Sequence, residues 1–137
     1  MGYCEAMEAA GAEVLAYQEF GSYQGDWWAK VSFEGSTFWV HGAYGSCSGC
    51  DAFQAEFNYC DEACEEHRYD YPPPDNCTKC EAAKADHQSR LAAFGLSYLT
   101  GNEHTQAEAE KENEPSDWDP HEEELTFLKN NAIEEKQ

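Results

Sequence analysis

The sequence predicts an α+β fold in which a three-stranded antiparallel meander comes first and three or so helices follow. Strand-like alternation is confined to residues 14–44, whereas the apolar residues after position 50 recur at helical spacings. Strands followed by helices, without regular alternation of the two, are typical of α+β proteins. The chain has 137 residues, of which 41% are hydrophobic and 14% aromatic, so it can bury a core of its own.

Three consecutive segments carry the strand pattern: 14–20, 26–33 and 37–44. In the second of them, every second residue from position 27 to position 33 is apolar. This period of two is typical of strands with one buried face. A compact Glu34-Gly35 turn separates the second and third segments, which favours an antiparallel hairpin.

The helices are predicted from capping residues and apolar spacing. A short Ala/Glu-rich helix or turn lies within residues 3–13, and Asp51 is placed to cap a helix over 51–66. Further helices are expected over about 80–99 and around 106–112, and a last one begins at Asp119-Pro120, with Trp118 expected to anchor it on the body. Residues 1–100 then form the α+β core with the cysteine cluster, and residues 101–137 form an acidic linker and a C-terminal helix packed on that core.

Six of the seven cysteines lie between positions 47 and 80. Two C-x-x-C pairs separated by 26 residues suit a tetrahedral tetrathiolate zinc site, since each pair presents two sulfurs to one ion. The predicted ligands of this structural zinc ion, which is expected to stabilise the fold, are Cys47, Cys50, Cys77 and Cys80.

A second ligand grouping stays open at this stage. Cys60 and Cys64 share the face of the predicted 51–66 helix with His67, and they could replace the first C-x-x-C pair; His87 is a further candidate. Redox or disulfide pairing and inert core thiols are the other interpretations. Since the chain contains no H-E-x-x-H motif and no general base accompanies the cluster, we assign no catalytic residue and expect a binding protein rather than an enzyme.

The net charge is −20, from 28 acidic and 8 basic residues. Such a chain repels nucleic acid and anionic membranes, and it attracts basic proteins. The acidic residues are densest after position 100, where 12 acidic residues face 3 basic ones. Solubility alone needs a net charge of only about 2–8 in a small domain, although a solvated acidic face remains the simplest alternative. The spacing of an EF-hand calcium loop is absent.

The predicted partner is therefore a basic protein surface, such as that of a nucleic-acid-binding nuclease complex. Acidic helices over 51–66 and 103–135 would supply charge complementarity, and exposed aromatic residues would supply specificity. The residues predicted to contact this partner are Glu62, Glu65, Glu66, Glu122, Glu123, Glu124, Trp28 and Trp39.

The first residues lack the basic stretch and apolar core of a signal peptide, and no stretch of roughly 18 apolar residues could span a membrane. We therefore expect a cytoplasmic protein that binds neither membranes nor nucleic acid directly. In that compartment thiols stay reduced, which favours metal ligation or core packing over disulfides.

The segments Gly25-Asp26-Trp27-Trp28-Ala29-Lys30-Val31 and Gly42-Ala43-Tyr44-Gly45-Ser46-Cys47-Ser48-Gly49-Cys50-Asp51-Ala52-Phe53 carry a resemblance. Over residues 20–57 the chain resembles small acidic uncharacterised proteins of bacteriophages and prophages, a group to which no activity is attached. By composition alone it is also similar to phage DNA mimics such as anti-restriction and anti-CRISPR proteins. The resemblance implies a phage accessory protein acting in the cytoplasm of the host.

These observations lead to a functional hypothesis with two alternatives. The first interpretation is a phage-encoded, DNA-mimic-like inhibitor that blocks the nucleic-acid-binding surface of a host defence protein. The second is a zinc-stabilised adaptor or phage structural component whose charge is incidental. The third is a thiol or metal enzyme.

Overall fold

The computed structural model describes residues 2–21, 24–45, 51–57, 63–67, 74 and 76–133. Along the chain it contains helix α1 and the strands β1, β2 and β3, then helices α2 and α3, the two-residue strand β4, and helices α4 and α5. Their bounds are α1 Tyr3–Ala9, β1 Glu13–Gly21, β2 Gly25–Phe33, β3 Ser36–Tyr44, α2 Ala52–Glu56, α3 Thr78–Leu99, β4 Glu103–His104, α4 Gln106–Glu112 and α5 Glu122–Asn130, with a 3₁₀ turn at Glu65–His67.

The predicted antiparallel meander is confirmed, and a fourth strand extends it. The strand order is β1-β2-β3-β4, with Phe33 opposite Ser36 at the second hairpin. The two loop residues of that hairpin, Glu34 and Gly35, both have positive φ, as two-residue hairpin loops of the type I′ class require. Strand β4 pairs with β3 through only two residues, too few to carry an alternating pattern that the sequence could reveal.

The first face of the sheet is covered by α1 and α3. Trp27, Val31 and Val40 are fully buried there against Met7 of α1 and Leu99 of α3. The two helices cross closely at Gly95, where an added Cβ would lie only 1.9 Å from the backbone oxygen of Ala6. Glycine is therefore needed at position 95 for α1 to reach the sheet together with α3.

The second face of the sheet is covered by α4 and α5. Trp28 and Trp39 are 1% and 0% exposed, because they pack with Phe20 of β1, Ala109 of α4 and Leu128 of α5. The prediction of an exposed patch containing Trp28 and Trp39 is therefore wrong. Strand β2 buries Trp28 on this face as well as Trp27, Ala29 and Val31 on the other, so helices pack against both faces of the sheet.

Gln106 joins three elements in the second layer. Its Oε1 atom accepts hydrogen bonds from Trp39 Nε1 at 2.6 Å and from the Ile133 amide at 3.0 Å. Its Nε2 atom donates to the carbonyl oxygen of Leu128 at 3.1 Å. A side chain at the first position of α4 thus joins β3 to the last turn of α5 and to the residues that follow it, which the sequence did not reveal.

Two predicted helix boundaries are wrong. The helix expected over 51–66 ends at Glu56 within the described residues, and Glu65–His67 forms a 3₁₀ turn. Helix α5 begins at Glu122 instead of Pro120, and His121 before it has a φ of 50°. Asp119 does not cap the helix, because its carboxylate accepts the His121 amide and its backbone closes a turn with Ser116.

The prediction that Trp118 anchors the last helix is also wrong. Its side chain is 98% exposed, and the helix is instead held by Leu128 and Phe127. The predicted helices over about 80–99 and 106–112 are found at Thr78–Leu99 and Gln106–Glu112. Residues 101–133 include β4 and the helices that cover the second face of the sheet. The boundary predicted at residue 100 therefore falls between the two helical layers, which pack on opposite faces of the same sheet.

Candidate metal centre

Three cysteines and one histidine meet between the 3₁₀ turn and the start of α3. Cys64 directly precedes the turn and His67 ends it, and the His67 amide donates to the carbonyl oxygen of Cys64. Cys77 is the N-cap of α3, and its sulfur accepts a hydrogen bond from the Cys80 amide at 3.4 Å. The two cysteines of this C-x-x-C pair therefore present their sulfur atoms on the same side of the start of α3.

The four candidate ligand atoms lie close enough together to surround one metal ion. All of them fall within 4.8 Å of one another. Cys64 Sγ is 3.8 Å from Cys77 Sγ and 3.5 Å from Cys80 Sγ, while His67 Nδ1 is 3.2 Å from Cys64 Sγ and 3.4 Å from Cys80 Sγ. Metal–sulfur bonds of about 2.3 Å and metal–nitrogen bonds of about 2.0 Å put tetrahedral ligand atoms roughly 3.5–3.8 Å apart. The cluster is compatible with a bound structural metal.

The thiols of the cluster differ in the direction of their pKa shifts. Burial acts to raise the pKa of the Cys64 thiol, but hydrogen bonds with His67, Cys80 and Cys77 outweigh burial and lower it to about 7. By contrast, burial and the carboxylates of neighbouring glutamates raise the pKa of Cys4, far away on α1, to about 11. Because metals bind the thiolate, the lowered pKa favours ligation through Cys64. At Cys80 a hydrogen bond with the Cys64 backbone acts to lower the pKa of the thiol, but burial and the side-chain hydrogen bonds with Cys64 and Cys77 raise it.

The structure brings together two of the predicted ligands and two of the predicted alternates. Cys77 and Cys80 meet Cys64 and His67, whereas Cys47, Cys50 and Cys60 lie outside the described residues. His87 is not part of the group, and its ring packs edge-on against Phe57. The spacing Cys64-x-x-His67 was visible in the sequence, but spacing alone did not separate it from the C-x-x-C pair at 47–50.

A buried carboxylate fixes the chain on either side of the 46–50 segment. Asp51 Oδ1 accepts a hydrogen bond from the Tyr3 hydroxyl at 2.7 Å, and Asp51 Oδ2 accepts one from the Gly45 amide at 2.8 Å. Burial and the bond to Asp51 raise the pKa of the Tyr3 hydroxyl, so it stays a donor. The sequence identified Asp51 only as a helix cap, and its role in joining the end of β3 to α1 was missed.

The acidic residues predicted to contact a partner differ in exposure. Glu65, Glu66, Glu122 and Glu123 are exposed, and Glu66 lies 3.6 Å from the Lys79 ammonium group. The Glu124 side chain is only 14% exposed and faces His121, so it contributes less to the surface. Glu62 lies outside the described residues.

The α4–α5 layer carries acidic residues that the partner prediction did not include. Between positions 108 and 124 there are nine acidic residues and one basic residue, Lys111. The exposed members of this set, together called the acidic face, are Glu108, Glu112, Glu114, Asp117, Asp119, Glu122 and Glu123. Glu108 is the first residue of the acidic face. Hydrogen bonds with the backbone and side chain of Thr105 lower the pKa of its carboxyl group, which keeps this group ionised.

None of the helices in the described part of the chain combines the length and the apolar character needed to cross a membrane. Comparisons with models of protein families, with curated proteins and with solved structures found no match. The metal-compatible cluster and the acidic face are the two features of the molecule that bear on its function.

Proposed function

We propose that this protein is a zinc-stabilised acidic binding protein that covers the basic, nucleic-acid-binding surface of a partner protein. The acidic face is the observation that carries the proposal: seven exposed carboxylates lie between Glu108 and Glu123 on a layer packed against the sheet. Charges displayed on a folded surface complement a basic patch with fixed spacing and accelerate association with it.

The geometry of the acidic face supports competition with nucleic acid. Glu108 and Glu112 are exposed one helical turn apart, a spacing of about 6 Å along the axis of α4. Phosphates along one DNA strand repeat with an axial rise of about 3.4 Å and lie farther apart along the backbone path. Carboxylates held at such distances can occupy phosphate-binding positions on a protein.

The chemistry of the cluster supports zinc as the metal. Three thiols and one imidazole form the Cys₃His set that is common in structural zinc sites, and soft sulfur ligands disfavour calcium and magnesium. Because four protein groups fill a tetrahedral shell, no position is left for a reacting water molecule. We assign the zinc ion a structural role, in which it holds the 64–67 turn against the start of α3.

The resemblance of residues 20–57 to phage and prophage proteins supports a phage accessory role. In that setting the partner would be a host protein that binds nucleic acid, for example a nuclease of a defence system. The protein would act by occupying the surface on which DNA or RNA binds.

Affinity capture tests this function with a defined probe. The zinc-loaded full chain is immobilised and exposed to the heparin-retained fraction of a bacterial lysate, which is enriched in proteins with basic nucleic-acid-binding surfaces. We expect specific capture at 0.1 M NaCl that is lost at about 0.5 M NaCl, where screening shortens the range of surface charges. Excess double-stranded DNA should displace the captured proteins.

A pair of charge-matched variants locates the binding surface. Glu122→Lys/Glu123→Lys changes the acidic face, whereas Glu5→Lys/Glu8→Lys makes the same change in net charge at exposed positions on α1, in the other layer. We expect the first variant to lose capture and the second to retain it. Capture that resists salt and DNA, or equal behaviour of the two variants, would contradict the proposal and favour an adaptor with incidental charge.

A further inference from the structure

Trp118 stands apart from the other three tryptophans. Trp27, Trp28 and Trp39 are at most 1% exposed, whereas Trp118 is 98% exposed. A tryptophan side chain carries the largest apolar surface of any residue, and folded chains usually bury most of it. The whole indole of Trp118 is therefore accessible for contact with another molecule.

Hydrogen bonds close the loop that carries Trp118. The Ser116 amide donates to the Asp119 carbonyl oxygen at 2.8 Å, and the Asp119 amide donates to the Ser116 hydroxyl at 3.0 Å. These bonds close a short loop with Asp117 and Trp118 at its tip. Fixing such a loop before binding lowers the entropy lost on association.

The exposed carboxylates that lie nearest to Trp118 in the sequence are Asp117 and Asp119. The exposed Glu122 and Glu123 begin the helix that follows. Within residues 108–124, the segment that carries the acidic face, Trp118 is the one large hydrophobic side chain that is exposed. Interface hot spots commonly combine one aromatic anchor, most often Trp, Tyr or Arg, with a surrounding polar rim.

We propose that Trp118 is the apolar anchor of the acidic face and inserts into an apolar pocket bordered by Lys and Arg side chains on the partner protein. This inference rests on the proposed function, because the charge of the acidic face selects the basic rim. The anchor adds selectivity for the shape of the partner, which charge alone does not provide. A carboxylate surface attracts many basic proteins, whereas an exposed indole selects those with a pocket of matching shape.

Photo-cross-linking tests this contact directly. The photoreactive residue p-benzoylphenylalanine is placed at position 118, and in a control chain at position 96, where Leu96 is 43% exposed on α3 in the opposite layer. Each chain is irradiated with the heparin-retained fraction of a bacterial lysate, and the cross-linked peptides are sequenced. We expect adducts from position 118 that map to an apolar pocket flanked by Lys or Arg, with at least fivefold lower yield in excess double-stranded DNA. Equal yields from the two positions, or adducts on surfaces without basic residues, would overturn the inference.

The salt dependence of affinity separates the anchor from the charges. For the protein identified by cross-linking, Trp118→Ala should weaken binding by about 30-fold at both 0.1 M and 0.5 M NaCl, because apolar contacts are not screened. The loss caused by Glu122→Lys/Glu123→Lys should instead shrink at the higher salt. Since Trp118 contacts so little of its own chain, the thermal midpoint of Trp118→Ala should not change.

The failures are distinguishable. If the charge-reversal variant loses capture of the heparin-retained proteins while Trp118→Ala binds them normally, the anchor is wrong and the proposed function stands. If the native chain captures no protein that DNA displaces, the proposed function is wrong and the anchor falls with it.

Discussion

The cysteine segment and the α4–α5 layer are both attached to the same body, but different forces hold them. Within the described residues of the cysteine segment, 63–67 and 76–80, Cys80 is the one fully buried side chain, and the segment is joined by four ligand atoms. The α4–α5 layer instead covers Trp28 and Trp39 with Leu128 and Ala109 and adds the hydrogen bonds of Gln106.

This difference assigns separate roles to the two regions. We propose that the cysteine segment, which has few buried apolar groups, gains its order from a bound metal, because binding free energy at a structural site is folding free energy. A layer that buries apolar side chains needs no metal to stay in place. The acidic face belongs to the second region, so its arrangement should be independent of the proposed zinc ion.

Removal of one metal-ligating side chain should have the largest effect, which is on zinc affinity. Cys80→Ser removes the buried sulfur of the cluster, and zinc affinity should fall by more than about 100-fold, since even outer-shell changes cost 10–100-fold. Cys4→Ser is the matched control, because Cys4 lies on α1 outside the cluster. Competition titration with a zinc-sensitive chelator measures both. Equal affinities for the two variants would exclude Cys80 as a ligand.

Truncation of the main apolar contact should have the next largest effect, and in the other region. Leu128→Ala leaves a cavity beneath α5, so the free energy of unfolding should fall by about 2–5 kcal/mol. Leu96→Ala, at an exposed position on α3, makes the same chemical change and should cost far less. Urea denaturation of the zinc-loaded variants compares them, and zinc affinity should be unchanged in both. A cost for Leu128→Ala as small as that of the control would mean that α5 is not held by packing.

Removal of the Gln106 side chain should have an intermediate effect. Gln106→Ala deprives the Trp39 indole N–H and the Ile133 amide of their acceptor, which should cost about 1–3 kcal/mol. Gln88→Ala, at an exposed position on α3, is the control and should be nearly neutral. Chemical denaturation followed by tryptophan fluorescence reports the difference. If both variants unfold at the same urea concentration, the hydrogen bonds of Gln106 do not hold the layer.

The smallest effect is expected at the ion pair beside the cluster. Lys79 and Glu66 are 3.6 Å apart, but both side chains are 71% exposed, so solvent screens their attraction. Lys79→Ala should change the free energy of unfolding by less than about 0.5 kcal/mol and leave zinc affinity unaltered. A larger loss, measured by the same denaturation assay, would show that side-chain charges and not the metal hold the 64–67 turn.

Local patterns in the sequence predicted the meander because each strand carries its own signal. Period-two alternation marks β2, and a two-residue Glu-Gly loop marks the hairpin that follows it. The burial of the second face was not predictable in the same way. Trp28 and Trp39 are covered by Leu128, a residue about 90–100 positions away, and no local pattern records that contact.

The metal cluster was predictable in part for the same reason. Cys77 and Cys80 are close in sequence and start a helix, so their joint presentation is a local property. Their partners come from a different segment of the chain. The loop that connects Cys50 to Cys77 and the shorter one that connects His67 to Cys77 would both allow ligation, so Cys47 and Cys50 could not be distinguished from Cys64 and His67. The start of α5 was misplaced because the Ser116–Asp119 turn engages the aspartate that the capping pattern assigned to the helix.

Hydrogen–deuterium exchange with and without zinc is the most direct test of this comparison. After chelation, we predict that amide protection falls in residues 63–67 and in the first turns of α3, while residues 106–130 keep theirs. Uniform exchange throughout the chain after chelation, or loss of protection in α4 and α5, would contradict the claim that metal holds one region and packing the other.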